Sequence, residues 1–484
     1  MSVRLSQLVK RDLAVDPQIT GVTADSRKVR PGFLFAALPG SKVDGAAFAA
    51  KAVEQGAAAV IAGRELGLSV QTIATPDPRR AYALAAAAFH GAQPRTVVAV
   101  TGTNGKTSVA NFCRQIFAGA GLRAGSMGTL GVRLSGPDGF DEQVTPPGLT
   151  TPDAADVAEL MARAAARGVT HFAMEASSHG VDQRRLDGVR LTAAGFLNLT
   201  QDHLDYHGTM GAYRAAKLRL FETLLPRGGT AVLNADSDAY DAFAAAAVTA
   251  GQTVVSVGDA GQGIRLAARS LLPEGQRLKL ELDGQAHELV LPLAGGFQAS
   301  NALVAAGLCL AAGLSVEQTL AGLEALEGAP GRLQRVGTGP RGGEAYVDYA
   351  HTPDGLGTVL KALRPHVRGK LVVVFGAGGD RDRGKRPLMG AIAAELADVA
   401  IVTDDNPRSE TPAVIRAEVL AGARGAREIG DRREAIRSAA AMLGEGDILV
   451  VAGKGHEQGQ IVAGVTHPFD DVAETAQALE LAHD

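Results

Sequence analysis

Short apolar runs recur along this chain, and most of them empty into a polar, glycine-bearing stretch. Such runs stand at 58–62 (AAVIA), 96–100 (TVVAV), 171–177 (HFAMEAS), 193–199 (AAGFLNL), 229–236 (GTAVLNAD), 370–382 (KLVVVFGAGGDRD), 398–406 (DVAIVTDDN) and 447–457 (DILVVAGKGHE). Between them lie segments with helical spacing, at 46–57, 79–90 and 109–121 among others. Strand alternating with helix predicts parallel sheets covered on both faces, with ligand loops after the strands. The helix over 79–90 ends at Gly91 and Pro94, a natural boundary. Residues 265–294 break the theme. They alternate and carry Pro-Glu-Gly and Asp-Gly turn signals, which predicts antiparallel hairpins. A helix then returns over 295–314. The pattern divides the chain into α/β units at 1–92, 93–330 and 331–484, in keeping with 484 residues at roughly 150 per domain.

Composition narrows the class. Hydrophobic residues make up 46% and charged residues 21%, which excludes an intrinsically disordered chain. Lys plus Arg total 48 against 52 Asp plus Glu, so no global basic field for nucleic acid exists. With 4% aromatics and no Trp, the core must be filled by Ala, Val and Leu. Two cysteines, Cys113 and Cys309, rule out a disulfide framework and a cysteine zinc site, and read as small buried hydrophobes. The first residues are charged throughout and no apolar run approaches membrane length, so the expectation is a cytoplasmic protein without membrane insertion. Glycine is in surplus, 60 residues. Gly102, Gly105, Gly376, Gly378, Gly379, Gly453 and Gly455 fall in the candidate ligand loops; most of the others do not.

Val100-Thr101-Gly102-Thr103-Asn104-Gly105-Lys106-Thr107-Ser108 joins a strand to a helix. Backbone N–H groups and a helix N-terminus at such a junction cradle phosphates. Lys106 is placed to reach the β/γ-phosphates, and the Thr107 hydroxyl to bind Mg²⁺. The residue five before the second glycine is Val100 rather than Gly or Ala, so this is a variant of the usual phosphate loop.

Further segments follow in order: MEASSHG (174–180), NLTQDHLDYHG (198–208), YRAAK (213–217), VDYAHTPD (347–354), FGAGGDRDRGKRPLMG (375–390), DDNPR (404–408) and AGKGHE (452–457). With TGTNGKT, they resemble the Mur ligase and folylpolyglutamate synthase superfamily, and over essentially the whole chain its MurE-type branch. The resemblance implies an α/β fold of three domains: a central parallel-sheet, P-loop-type ATPase domain between a small N-terminal α/β domain that binds a UDP-sugar and a C-terminal Rossmann-like domain that binds an amino acid. It implies a ligase that spends ATP to join a carboxylate to an amine through an acyl phosphate, in the synthesis of cell-wall peptidoglycan precursors. The implied partners are ATP, UDP-N-acetylmuramoyl-L-alanyl-D-glutamate and meso-diaminopimelate, with no nucleic acid and a monomeric enzyme.

The resemblance also implies roles for residues. Gly102 through Ser108 hold ATP, together with Asn301, Arg332 and Asp348; His351 packs on the nucleotide. Thr107 and Glu175 hold one Mg²⁺, and His203 contributes to a second. His207 is read as structural. Lys217 lies among Arg214 and Arg219, which by itself reads as a solvated basic face. In the resembling enzymes the lysine at this place is carbamylated by CO₂ and serves as an anionic metal ligand. Ala24, Ser26, Ser41, Lys42, Val43, Thr150, Thr151, Ser177, Gln183 and Arg185 match positions that bind the UDP-muramoyl dipeptide; Arg184, next door, is the alternative to Arg185. Arg381, Asp405, Asn406, Pro407, Arg408, Gly453 and Glu457 match the amino-acid contacts.

Diaminopimelate carries a second carboxylate that lysine lacks, and an arginine offers it a planar, two-pronged partner. Arg408 in DNPR therefore points to diaminopimelate, with Arg408 expected to be buried and unpartnered without it. Lysine or another diamino acid is the alternative substrate. A folylpolyglutamate synthase and a non-catalytic ATP-binding switch are the alternatives of other kinds.

Overall fold

The computed structural model describes residues 2–40, 44–272 and 275–481. The chain folds into two compact units, one of residues 1–266 with 302–322, the other of residues 267–301 with 323–484.

The first unit opens on a four-stranded parallel sheet, β1 (Gly21–Thr23), β2 (Phe33–Ala37), β3 (Ala59–Ala62) and β4 (Gln71–Ala74), in sequential order. Its apolar faces are covered by two clusters, one built on Leu34, Ile61 and Tyr82 and the other on Phe35 and Val60. The predicted helix runs Pro78–His90, with Pro78 at its first turn and the Asp77 carboxylate accepting from the Arg80 N–H at 3.0 Å. Gly91 ends it at φ 73°.

The larger sheet of this unit contains β5 (Thr96–Thr101), β6 (Ala124–Gly128), β7 (Gly131–Ser135), β8 (Asp141–Thr145), β9 (His171–Glu175), β10 (Ala193–Phe196), β11 (Thr230–Asn234) and β12 (Thr253–Gly258). Their order is β8-β7-β6-β9-β5-β10-β11-β12. The central strands are parallel, and β5 has β9 on one side and β10 on the other. All six residues of β5 are buried, which explains its unbroken apolar run. Phe172, Phe196, Phe221 and Phe243 anchor the core on one face.

The antiparallel prediction for 265–294 holds in part. β13 (Ile264–Leu272) starts parallel to β12, pairing Ile264 with Val257. β14 (Gly275–Leu282) and β15 (Gln285–Leu291) form the expected hairpin. Its two-residue turn, Asp283-Gly284, has φ 52° and 74°, the left-handed pair that a tight hairpin needs. The Pro-Glu of the other turn signal lies outside the described residues.

The second unit also holds the sheet β16 (Gln334–Thr338), β17 (Glu344–Asp348), β18 (Leu371–Phe375), β19 (Val399–Val402), β20 (Arg427–Glu428) and β21 (Ile448–Ala452), in the order β16-β17-β21-β18-β19-β20. It is parallel except for β16. One face packs on Leu356, Leu360, Met389 and Ile415, the other on Ile436, Ala439 and Leu479. A short hairpin, β22 (Gly459–Val462) with β23 (Val465–Pro468), follows β21. Among the described residues no helix is long and apolar enough to cross a membrane.

Candidate active site

The phosphate loop leaves β5 and enters the helix Lys106–Gly119 through Gly105, whose φ of 90° suits glycine. Gly102 is pressed against Leu197: a Cβ there would lie 2.8 Å from the leucine side chain. The loop is braced by a residue that the sequence did not single out. The Asn198 amide oxygen accepts from the backbone N–H of Thr103 at 3.1 Å and of Asn104 at 2.9 Å, and its amide nitrogen donates to the Asn104 carbonyl at 3.1 Å. Register explains this reach. Phe196 of β10 pairs with Thr101 of β5, so the chain after β10 runs beside the loop after β5.

The same logic brings Glu175 to Thr107. Glu175 ends β9 and pairs with Val100. It is buried, and its carboxylate accepts from the Thr107 hydroxyl at 3.1 Å and from the Thr129 N–H at 2.8 Å. Gly128 clears the space, since a Cβ there would overlap the carboxylate. Hydroxyl and carboxylate oxygens suit a hard cation. Among the described residues no three His, Cys, Asp or Glu side chains gather around one point in metal-binding geometry. His203 is exposed, at φ 53°, with its ring 4.9 Å from that of His179 and 6.2 Å from that of Tyr213. His207, read as structural, bonds backwards in the chain rather than to the loop that follows it: its Nε2 meets the Ser178 hydroxyl at 3.0 Å.

Lys217 is not on a solvated basic face. It is 1% exposed, although Arg214 on the same helix, Met210–Arg219, is exposed. Its Nζ donates to the Gly102 carbonyl at 2.7 Å and sits 4.4 Å from the centre of the Tyr213 ring. Lys106 donates to that same carbonyl at 2.9 Å. Burial, reinforced by the Lys106 charge, pushes the Lys217 pKa well below the ordinary lysine value. Burial also pushes the Tyr213 phenol up to about 12. Arg219 turns away to the buried Asp187 at 2.5 Å.

Thr151, Ser177, Gln183 and Arg185 come together. The Ser177 hydroxyl donates to the Thr151 hydroxyl at 3.0 Å, and Arg185 donates to the Thr151 carbonyl at 2.6 Å and to the Gln183 amide oxygen at 2.7 Å. Thr150 joins through Thr129, hydroxyl to hydroxyl at 3.0 Å. Arg184 is instead taken up by Asp77 at 3.1 Å, so Arg185 is the arginine of this cluster. Ala24 and Ser26 line a separate cavity of about 880 Å³, with Lys28, Phe33 and Lys51 also in its lining. There Arg27 holds the Asp25 carboxyl down to about 2. Ser41, Lys42 and Val43 lie outside the described residues.

In the second unit Asn301 is buried and donates to Gln298 at 3.1 Å; Gln298 donates weakly to the Arg332 carbonyl at 3.4 Å. Arg332 stacks on Tyr349, 4.5 Å from the ring centre. Asp348 accepts from the N–H groups of Leu333 at 2.6 Å and Ala350 at 2.7 Å, and burial raises its pKa. His351 bonds the Tyr349 carbonyl at 2.8 Å.

Three strand ends, β18, β19 and β21, bring together the loops that carry the predicted amino-acid contacts. Asn406 donates to Glu457 at 2.8 Å, and Gly379 N–H donates to the Asn406 carbonyl at 2.9 Å. Asp405 is buried, and its Oδ2 has no hydrogen-bond partner. Gly379 lets the two loops touch, because a Cβ there would overlap the Pro407 carbonyl. Gly453 has φ 124°. The expectation that Arg408 is buried and unpartnered is corrected. It is half-buried in a left-handed turn at φ 54° and donates to the Gly379 carbonyl at 2.8 Å. Arg381 is exposed and donates to the Asp380 carbonyl at 3.2 Å.

Comparison with known proteins fits this geometry. Three family models match: "Mur ligase family, catalytic domain" over residues 18–100, "Mur ligase middle domain" over 100–309 and "Mur ligase, glutamate ligase domain" over 331–455. A UDP-N-acetylmuramoyl-L-alanyl-D-glutamate–2,6-diaminopimelate ligase of Caulobacter vibrioides is 71% identical over 482 residues, 99% of each chain. The enzyme of that name from Mesorhizobium japonicum is 53% identical over 97% of each chain. A solved structure titled as a ligase of that name superposes with a TM-score of 0.76 at 35% identity, covering 100% of both chains. Likeness of this identity and extent leaves one conclusion: the chain belongs to the Mur ligase family.

Proposed function

We propose that the chain is an ATP-dependent ligase that adds meso-diaminopimelate to UDP-N-acetylmuramoyl-L-alanyl-D-glutamate in peptidoglycan precursor synthesis. The observation that carries the substrate reading is end-to-end 71% identity to a ligase of that name, in a chain with an intact phosphate loop. We assign 1–92 to the UDP-sugar, 93–330 to ATP and 331–484 to the amino acid; the three family-model matches break near the same boundaries.

The chemistry follows from charge. The D-glutamate γ-carboxylate attacks the γ-phosphate of ATP, giving an acyl phosphate and ADP, and the amine then displaces phosphate to form the amide. Phosphoryl transfer needs positioning and neutralised charge more than a protein nucleophile. Gly102 to Ser108 supply backbone donors, and Lys106 supplies a cation once it leaves the loop carbonyls it now bonds. Thr107 and Glu175 would hold Mg²⁺, which screens phosphate charge, with His203 and carbamylated Lys217 as further ligands. The depressed pKa of Lys217 supports that modification, because only the neutral amine adds to CO₂. Thr150, Thr151, Ser177, Gln183 and Arg185 support a site for the muramoyl peptide, and the cavity beside Ala24 and Ser26 a site for the uridine nucleotide. Arg381 and Arg408 offer the diamino acid two cations for its carboxylates, and Glu457, oriented by Asn406, an acceptor for an ammonium group.

Phosphate release measured with a panel of amino acids tests the reading. Turnover should require the UDP-muramoyl dipeptide and be fastest with meso-diaminopimelate; faster turnover with L-lysine or ornithine would overturn it.

A further inference from the structure

In the second unit, within AGKGHE, a lysine is wholly buried beneath the amino-acid loops. Lys454 is 0% exposed. Its Nζ donates to the Asn406 amide oxygen at 2.9 Å and stands 3.6 Å from the Glu457 carboxylate. The backbone forces it inward. Gly453 at φ 124° and Gly455 at φ 55° flank it, and the Glu457 N–H closes the turn onto the Lys454 carbonyl at 2.9 Å. Neither glycine tolerates a side chain: a Cβ at 453 would meet the Asp405 carboxylate at 2.3 Å, and one at 455 would meet Tyr349 at 2.7 Å.

Burying an ammonium is costly unless it is paired and bonded. Here it has two consequences. First, it fixes the Asn406 amide. The Asn406 oxygen accepts from Lys454 and from the Ile461 N–H at 3.0 Å, so the amide nitrogen must face Glu457, to which it donates at 2.8 Å. Second, it supplies a positive charge near Asp405 and Glu457. The charged groups around it are Asp405, Glu457, Arg432 and Asp471, and the last two already neutralise each other in a fully buried pair at 2.7 Å. Without Lys454 the buried cation left beside Asp405 and Glu457 would be Arg432, which is already bonded to Asp471.

We propose that Lys454 is a positioning and specificity residue of the amino-acid site: it holds Asn406 and Glu457 in one orientation and keeps their cluster neutral enough to admit a ligand with two carboxylates. The inference rests on the diaminopimelate reading above. Diaminopimelate carries one carboxylate more than lysine, so a loop cluster made more negative penalises it selectively.

The test uses Lys454→Met and Lys454→Gln in the full chain, with phosphate release measured against diaminopimelate, L-lysine and ATP, and thermal unfolding alongside. In whichever variant keeps the wild-type thermal transition, the KM for diaminopimelate should rise by about tenfold, the scale of one charge-assisted hydrogen bond. The KM for ATP should stay within about twofold, and the preference for diaminopimelate over lysine should fall. A folded variant with a wild-type KM for diaminopimelate overturns the inference. So does equal loss with both amino acids, or failure of both variants to fold, since each makes Lys454 a structural group only. Wild-type enzyme that prefers lysine overturns the substrate reading itself, whatever the variants do.

Discussion

Lys217 of the first unit and Lys454 of the second are equally buried, yet their surroundings differ in sign. Lys217 faces a neutral carbonyl, that of Gly102, and shares it with the Lys106 ammonium. Asp202 opposes this only as the smallest influence on it. Lys454 faces Asn406 and Glu457, with Asp405 close by. Burial lowers both pKa values, but Lys454 has three carboxylates, Asp405, Glu457 and Asp471, pulling back, where Lys217 has one. The lesson is that burial alone does not assign a lysine. A buried lysine beside another cation is driven further toward its neutral form, whereas one beside acids is held nearer its charged form.

Substitutions on both sides of this contrast should separate the two lysines. The largest effect is expected at Lys217→Ala. Loss of a group proposed to act beside the transferring phosphate should lower turnover by roughly a thousandfold. A short carboxylate added to the assay should restore part of it, by standing in for the carbamate. Undiminished activity in the variant would remove the reactive-amine reading. Next is Arg432→Met, which strands the buried Asp471 carboxylate and should cost about 3–5 kcal/mol in chemical denaturation. That loss should appear as unfolding, whereas in Lys454→Met the KM for diaminopimelate should rise in a protein that still folds.

Arg408→Lys should weaken selectivity for diaminopimelate by roughly 10- to 100-fold while the KM for ATP is unchanged. A smaller effect concerns pH. The folded-state pKa of Lys217 lies below its unfolded value of 10.5, so the unfolded chain binds the proton more strongly between the two. Stability should therefore rise with pH through that window, up to about 10.5, and fall as pH drops. Urea midpoints in CO₂-free buffer should show this slope, and Lys217→Met should flatten it. The smallest effect is at the exposed Arg277–Glu288 pair of the β14–β15 hairpin, where Arg277→Ala should cost under about 1 kcal/mol and less still at high salt.

Much of the site was legible because its parts are contiguous. The strand, glycine turn and helix of the phosphate loop span 96–119, and local chemistry dictates their shape. The hairpin turn at Asp283-Gly284 was legible for the same reason. The burial of Lys217 was not. Its helix neighbours Arg214 and Arg219 disguise it, and the partner that buries it lies 115 residues away. Nor could local sequence separate Arg184 from Arg185, since Asp77 and Thr151 choose between them from 107 and 34 residues away. Asn198 stood inside a recognised segment, but its bracing of the loop depends on the β5–β10 register.

By itself, then, the sequence determined the strand–loop–helix units, the phosphate loop and the likeness to the Mur ligases, because backbone preferences and motifs are properties of adjacent residues. Which buried lysine shares a carbonyl with another cation and which faces acids, which arginine joins the Thr151 cluster, and that Arg408 sits at half burial with a carbonyl partner were settled only by the tertiary structure. Those outcomes depend on the dielectric and charge that distant strands bring to one place, and the order of strands in a sheet is not written in any single segment.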